Sequence, residues 1–245
     1  MIWTNGRDSL VHALNHFVEM SQIKGNKWHH QKWIIMSVHH AASCLVYMWL
    51  KSANNNHRLF RNEKGGEAYP HLEDTLSALQ QYKGTEHLTD AESKLLILLK
   101  RLNDIRNKLM HRLPPEQISK EVVAYAATSF IGMLLAIERR TGKAFNEYFD
   151  DFIEDRRYVF DAIHYSKIEE YQDYIEHLLK DKGYSWDLPY CPCCAAKAVI
   201  GYRCEVCFEE VEEVECSNCG DEFYIERSAP VDQECPECGN IVKSA

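Results

Sequence analysis

Apolar residues recur every three or four positions along most of the first 185 residues, the rhythm of helices that bury one face. Leu10, Leu14, Phe17 and Val18 predict a first helix over 8–21, with Asp8 or Ser9 at its cap. Ile34, Val38, Ala41, Leu45 and Met48 carry a longer one over about 27–53. His39 and His40 lie in its middle; neighbours on a helix point about 100° apart, so they read as a core-edge pair, not as shared ligands. A polar stretch over 54–70, with three asparagines and Gly65-Gly66, reads as a loop. Its Arg58, Arg61 and Lys64 offer an edge to RNA, although a solvated loop is the simpler account.

A short helix is expected over 71–82. Thr89-Asp90-Ala91-Glu92 then has the form of a capping box, opening a helix that runs to about His111. Along it Leu95, Leu98, Leu102, Ile105 and Leu109 form a seam at spacings of three and four, suited to a bundle or to a helix pair across a dimer. After Pro114-Pro115 comes a strongly apolar helix over 119–140, stopped at Thr141-Gly142. A last one, rich in aromatics and acids, is expected over 144–182 and stopped by Gly183. Strand-type alternation is nearly absent before residue 188.

From Tyr190 the texture changes to short β-type runs between cysteine pairs. Nine of the ten cysteines lie in this stretch, and eight form C-x-x-C pairs: Cys191/Cys194, Cys204/Cys207, Cys216/Cys219 and Cys235/Cys238. Two pairs have proline after the first cysteine and two have glycine after the second, as zinc knuckles often do. Tetrahedral zinc takes four thiolates, so four pairs predict two structural zinc ions. Sequential pairing is simplest, and an interleaved arrangement stays open. Cys193 is then a spare thiol, and Cys44 stands alone in a helix. The predicted fold is an all-α helical bundle over 1–185 followed by a small zinc-ribbon module with short β-hairpins over 188–245.

Charge separates the two parts further. Residues 188–245 hold 4 Lys+Arg against 12 Asp+Glu, a net of −8, while the first 187 hold 24 against 25. An acidic module repels phosphate backbones and suits a protein partner better. Lys197, Arg203 and Arg227 are its few candidates for RNA contact. No apolar run reaches the roughly 20 residues of a membrane span, and the first residues lack the pattern of a secretory signal, so a cytoplasmic protein is expected, with no membrane partner.

The chemistry concentrates in Leu102-Asn103-Asp104-Ile105-Arg106-Asn107-Lys108-Leu109-Met110-His111. RNA carries its own nucleophile, the 2′-hydroxyl, so cutting it needs only a proton carrier and a cation for the charge growing on phosphate. Histidine suits the first task and arginine the second. Asn107 suits a hydrogen bond that holds the histidine or the phosphate in place. Five residues apart on a helix is about 140° of rotation, so Arg106 and His111 do not converge within a straight helix. Fraying before Pro114, or a two-fold dimer pooling two copies, would bring them together. A purely structural pair at a helix end, with His111 near the C-terminal dipole, is the bland alternative.

The string Asn103 to His111 resembles the motif of HEPN-superfamily ribonucleases, R-N-x3-H, and the helical layout of residues 1–185 is similar to their small all-α domains. The resemblance implies a metal-independent endoribonuclease with Arg106, Asn107 and His111 as catalytic residues. It also implies a composite site at a homodimer interface, with 2′,3′-cyclic phosphate and 5′-hydroxyl products and no catalytic metal. It further implies a toxin or antiviral defence role. Arg7-Asp8 to His12 also fits the loose spacing, but lies in the first helix, away from the family's place for it. The acidic ribbons would supply restraint by binding a regulatory protein. The alternative from another class is a non-catalytic HEPN-like dimeric adaptor that binds its partner through the ribbons. A zinc hydrolase is disfavoured, because four-cysteine sites leave no position for water.

Overall fold

The computed structural model describes residues 2–53, 57–60, 70–81, 88–111, 118–142, 152–164, 169–184, 188–227 and 232–243. Among them the chain is mainly helical, with three short antiparallel strand pairs at its C-terminal end. It divides into two compact units, 1–170 and 171–245. The helix before the cysteines thus groups with the cysteine-rich segment, ahead of the boundary expected near 185–188.

In the first unit, α1 (Ile2–Gln22) and α2 (Trp28–Ala53) form an antiparallel hairpin. The cap expected at Asp8 or Ser9 is wrong, since α1 already runs from Ile2. At Gly6 the two helices approach closely: a Cβ there would lie 3.0 Å from the Cys44 Cβ, so a larger residue would need Cys44 to give by a few tenths of an ångström. Ser9 Oγ instead bonds the Asn5 carbonyl and His40 Nδ1, at 2.9 and 2.7 Å. Helix α2 packs against α1, α3 (Leu72–Gln81), α4 (Asp90–His111) and α5 (Lys120–Thr141). Between α2 and α3 a single 3₁₀ turn holds Arg58 to Phe60; Arg61 and Lys64 lie outside the described residues.

Helix α5 is the most deeply set, with every residue from Val123 to Ile137 buried. It ends as expected at Gly142, whose left-handed φ of 67° lets its N–H reach the Glu138 carbonyl at 2.7 Å. By length and hydropathy both α2 and α5 could cross a bilayer, but 67% and 83% of their most apolar windows are buried inside the protein. Most of the α4 seam is likewise consumed within the bundle, with Ile105 half-buried. Leu95, Leu98, Leu102 and Leu109 are buried in one copy, and Ile97 and Met110 are the large apolar side chains that α4 exposes.

The capping box at α4 forms as its residues predict. Thr89 N–H donates to Glu92 Oε2 at 3.1 Å, and Glu92 N–H donates to Thr89 Oγ1 at 3.2 Å. Glu92 is buried and also takes a fork from Arg140, Nε at 2.6 Å and Nη2 at 3.0 Å, while that guanidinium stacks on Trp49. One carboxylate therefore closes a helix start and ties α4 to α5. Glu92→Ala is expected to destabilise the unit by about 2–3 kcal/mol, since it removes a cap and breaks a largely buried pair. Glu92→Gln should cost about half as much, because its amide oxygen still accepts from Thr89. Urea denaturation of the three proteins checks the order.

Within the helix expected over 144–182 the structure describes α6 (Phe152–His164) and α7 (Glu169–Asp181), with 165–168 outside the described residues. Glu169 and Glu170 give α7 an acidic first turn that favours a separate start. Gly183, at φ 84°, stops it as expected.

In the second unit, α7 buries Tyr171, Tyr174, Ile175, Leu178 and Leu179. Three two-stranded hairpins follow: β1 (Val199–Ile200) with β2 (Arg203–Cys204), β3 (Val211–Glu215) with β4 (Glu222–Glu226), and β5 (Asp232–Glu234) with β6 (Ile241–Lys243).

Candidate functional site

The four C-x-x-C pairs fold as one repeated device. In each, the first cysteine's N–H donates to the carbonyl five residues on: Ala196, Glu209, Asp221 and Asn240. The residue four after that cysteine returns its N–H to the cysteine carbonyl, and it has positive φ: Ala195 57°, Phe208 60°, Gly220 74° and Gly239 70°. The flanking residues pair in a constant register, Tyr190 with Lys197, Arg203 with Glu210, Glu215 with Glu222 and Glu234 with Ile241. Each pair is thus the tip of a small hairpin, a repeat legible only as cysteine spacing in the sequence.

The tips meet two by two, in the sequential grouping: Cys191, Cys194, Cys204 and Cys207 in one cluster, Cys216, Cys219, Cys235 and Cys238 in the other. Cys193 belongs to neither. The closest sulfur pairs, Cys191–Cys207, Cys194–Cys204, Cys216–Cys238 and Cys219–Cys235, lie 3.5, 3.6, 3.6 and 3.7 Å apart. A disulfide needs about 2.05 Å. Four thiolates at about 2.3 Å from one tetrahedral ion stand about 3.8 Å from each other, so the residues fit a metal ion. The knuckle amides favour thiolates in the second cluster. Backbone N–H groups of Cys219 and Asn218 lower the Cys216 pKa, and the Asn218 side chain, with Asn240 backbone support, brings Cys238 down to about 6.

The first cluster is buried throughout, whereas Cys219 and Cys238 of the second are exposed. Helix α7 belongs to the first: Gln172 Nε2 donates to the Ala195 carbonyl at 2.6 Å, and Lys182 pairs with Glu205 at 2.8 Å. Tyr171 is fully buried there, and burial, followed by charge on Cys194, pushes its hydroxyl well above the tyrosine range.

The second candidate site lies on α4. Arg106 is half-buried, its Nη1 donates to Asn107 Oδ1 at 3.0 Å, and its Nε is buried with no hydrogen-bond partner among the described residues. Nor does any described carboxylate form an ion pair with it. Three residues back, buried Asn103 accepts at its Oδ1 from His39 Nε2–H at 3.0 Å. His39 therefore belongs to this group, which the reading of His39 and His40 as a core-edge pair did not foresee. The two histidines do diverge, His40 turning to Ser9. The missed signal was the apolar register of α2, which puts His39 one residue after buried Val38 and toward α4.

Burial lowers the His39 pKa; the Asn103 hydrogen bond opposes this, and the Arg106 charge adds to it. The imidazole is thus held neutral in the fold but protonates more readily in the unfolded chain. Above about pH 6.5 both states are neutral and the full stability is present; as pH falls through 6.5 toward the lowered folded value, it is lost. His39→Gln is expected to flatten this fall between pH 7.5 and 5.5, as read by urea midpoints.

Helix α4 stays helical through His111, whose side chain lies outside the described residues. No unwinding up to that point brings it toward Arg106. Arg7, the other loose match, is exposed beside Asp8 at 3.4 Å, and His12 bonds Ser37 instead. Comparison with protein-family models, curated proteins and solved structures gave no match.

Proposed function

We propose that the protein is a metal-independent endoribonuclease of HEPN type, acting as a homodimer in the cytoplasm as a toxin or defence effector, with zinc in its two cysteine clusters. The observation that carries this reading is Arg106. A half-buried guanidinium is ordinarily neutralised by a carboxylate, and among the described residues this one has an amide beside it and a buried Nε left over. Such a group calls for an external anion, and a phosphodiester fits its fork of donors.

In the proposed reaction the substrate's 2′-oxygen attacks phosphorus. The bond to the 5′-oxygen breaks, leaving a 2′,3′-cyclic phosphate and a 5′-hydroxyl. His111 moves the proton, Arg106 stabilises the phosphorane charge, and Asn107 keeps Arg106 in place. Asn103 and His39 act as positioning residues behind Arg106. Since α4 is helical through His111, about 140° separates the pair on one helix, and this favours a site completed by a second copy.

The ribbons fit a regulatory protein better than RNA. One face of the β3–β4 hairpin carries Glu213, Glu215, Glu222 and Glu226, with Glu215 directly opposite Glu222. A partner with a basic face would relieve that crowding. The same acidic face is what the adaptor reading rests on. The test is cleavage of total RNA by zinc-loaded protein in EDTA, wild type beside His111→Ala, with the RNA ends typed. Cyclic phosphate ends from wild type alone support the nuclease. No cutting by either folded protein favours the adaptor.

A further inference from the structure

At the connected end of the α1–α2 hairpin, beside the turn over 23–27, three ligand-type atoms converge outside both sites described above. His16 Nδ1 lies 3.0 Å from His30 Nδ1 and 3.0 Å from Glu19 Oε2, and His30 Nδ1 lies 3.2 Å from the same oxygen. His16 and Glu19 are three apart on α1 and share a face, while His30 comes from the first turn of α2.

Hydrogen bonding does not satisfy this triangle well. Each neutral imidazole offers one lone pair and one N–H, on opposite sides of the ring. If either Nδ1 donates to Glu19, the remaining Nδ1 meets a second donor or a second lone pair at 3.0 Å. A cation at the centre takes all three lone pairs at once. With bonds of about 2.0–2.1 Å, tetrahedral ligand atoms stand about 3.3 Å apart, close to the triangle seen.

We propose that His16, Glu19 and His30 bind a divalent first-row transition ion. Two imidazoles and one carboxylate suit zinc, iron(II), manganese or nickel better than calcium or magnesium, and leave coordination positions open. The site is walled by aromatic rings. His12 and His29 stand edge-on to His16, with centroids 4.5 and 6.5 Å away, and Trp33 stacks on it at 6.4 Å. Glu19 is half-exposed, so the open positions face water. An ion here staples α1 to α2 across their short connection. The site is independent of the proposed ribonuclease and is unlike the saturated four-cysteine clusters.

The probe is Co²⁺ added to full-length protein whose cysteine clusters are already zinc-loaded. The expected result is a third metal ion per chain, retained through gel filtration in metal-free buffer. Its cobalt d–d bands should come without thiolate charge-transfer absorption. Co²⁺ should also quench Trp33 fluorescence, a change lost in Trp33→Phe, and raise the melting temperature of the helical unit. Glu19→Gln, a half-exposed change that leaves the core intact, and His30→Gln should each weaken Co²⁺ binding at least tenfold, whereas His40→Gln should not. Two ions per chain, thiolate bands only, or a Glu19→Gln affinity within tenfold of wild type would overturn the assignment.

Discussion

Cys204→Ser is expected to unfold the entire 171–245 unit, α7 included, while leaving the helical unit folded. A structural four-cysteine zinc site contributes about 10–16 kcal/mol to the folding of small metal-held modules, as much as or more than the whole stability of an ordinary domain. This unit's hairpins have two to five residues per strand, and cysteine tips close β3–β4 and β5–β6. Helix α7 shares the loss, because Tyr171 is buried beside Cys194 and Gln172 holds Ala195. The core of residues 1–170, built around Phe17, Ile34, Leu50, Phe130 and Leu134, contains none of the eight clustered cysteines. Far-ultraviolet circular dichroism should therefore fall by part of the helical signal, and limited proteolysis should stop near residue 170. Graded chelation should release two ions in sequence. The exposed Cys219 and Cys238 mark the second cluster as the one emptied first.

Arg106→Ala should lower RNA cleavage by about 10²–10³-fold with almost no loss of stability. The first figure is what removing a transition-state cation or donor ordinarily costs. The second follows from Arg106 forming no ion pair with a described carboxylate and leaving Nε unpartnered. Arg106→Lys should not restore activity, because a point charge cannot reproduce the fork. The adaptor reading predicts the reverse pattern, a structural arginine whose loss harms folding. Single-turnover cleavage and urea midpoints on the same preparations separate the two.

The helices were legible wherever period and punctuation agreed. Thr89 and Glu92 announced the start of α4, Gly142 the end of α5 and Gly183 the end of α7. The cysteine groups were legible because each C-x-x-C tip is local, and sequential grouping needs only short connections. The division at residue 170 was not legible. It depends on Tyr171 and Gln172 meeting the first cluster, contacts that no helical period encodes. His39 sits at the core edge as read, but its partner Asn103, sixty-four residues on, was not legible. His16 and Glu19 stood at a helical spacing, but their meaning depends on His30 across the turn.

The most direct test of the central claim is RNA cleavage in EDTA by wild type, Arg106→Ala, His111→Ala, and an equimolar mixture of the two variants refolded together. A site shared across a dimer predicts that wild type cuts and leaves cyclic phosphate ends. Each variant alone should be inactive, and the mixture should recover part of the activity, because one composite site regains both groups. Equal cutting by wild type and by both single variants would contradict the account, and would move the chemistry away from α4.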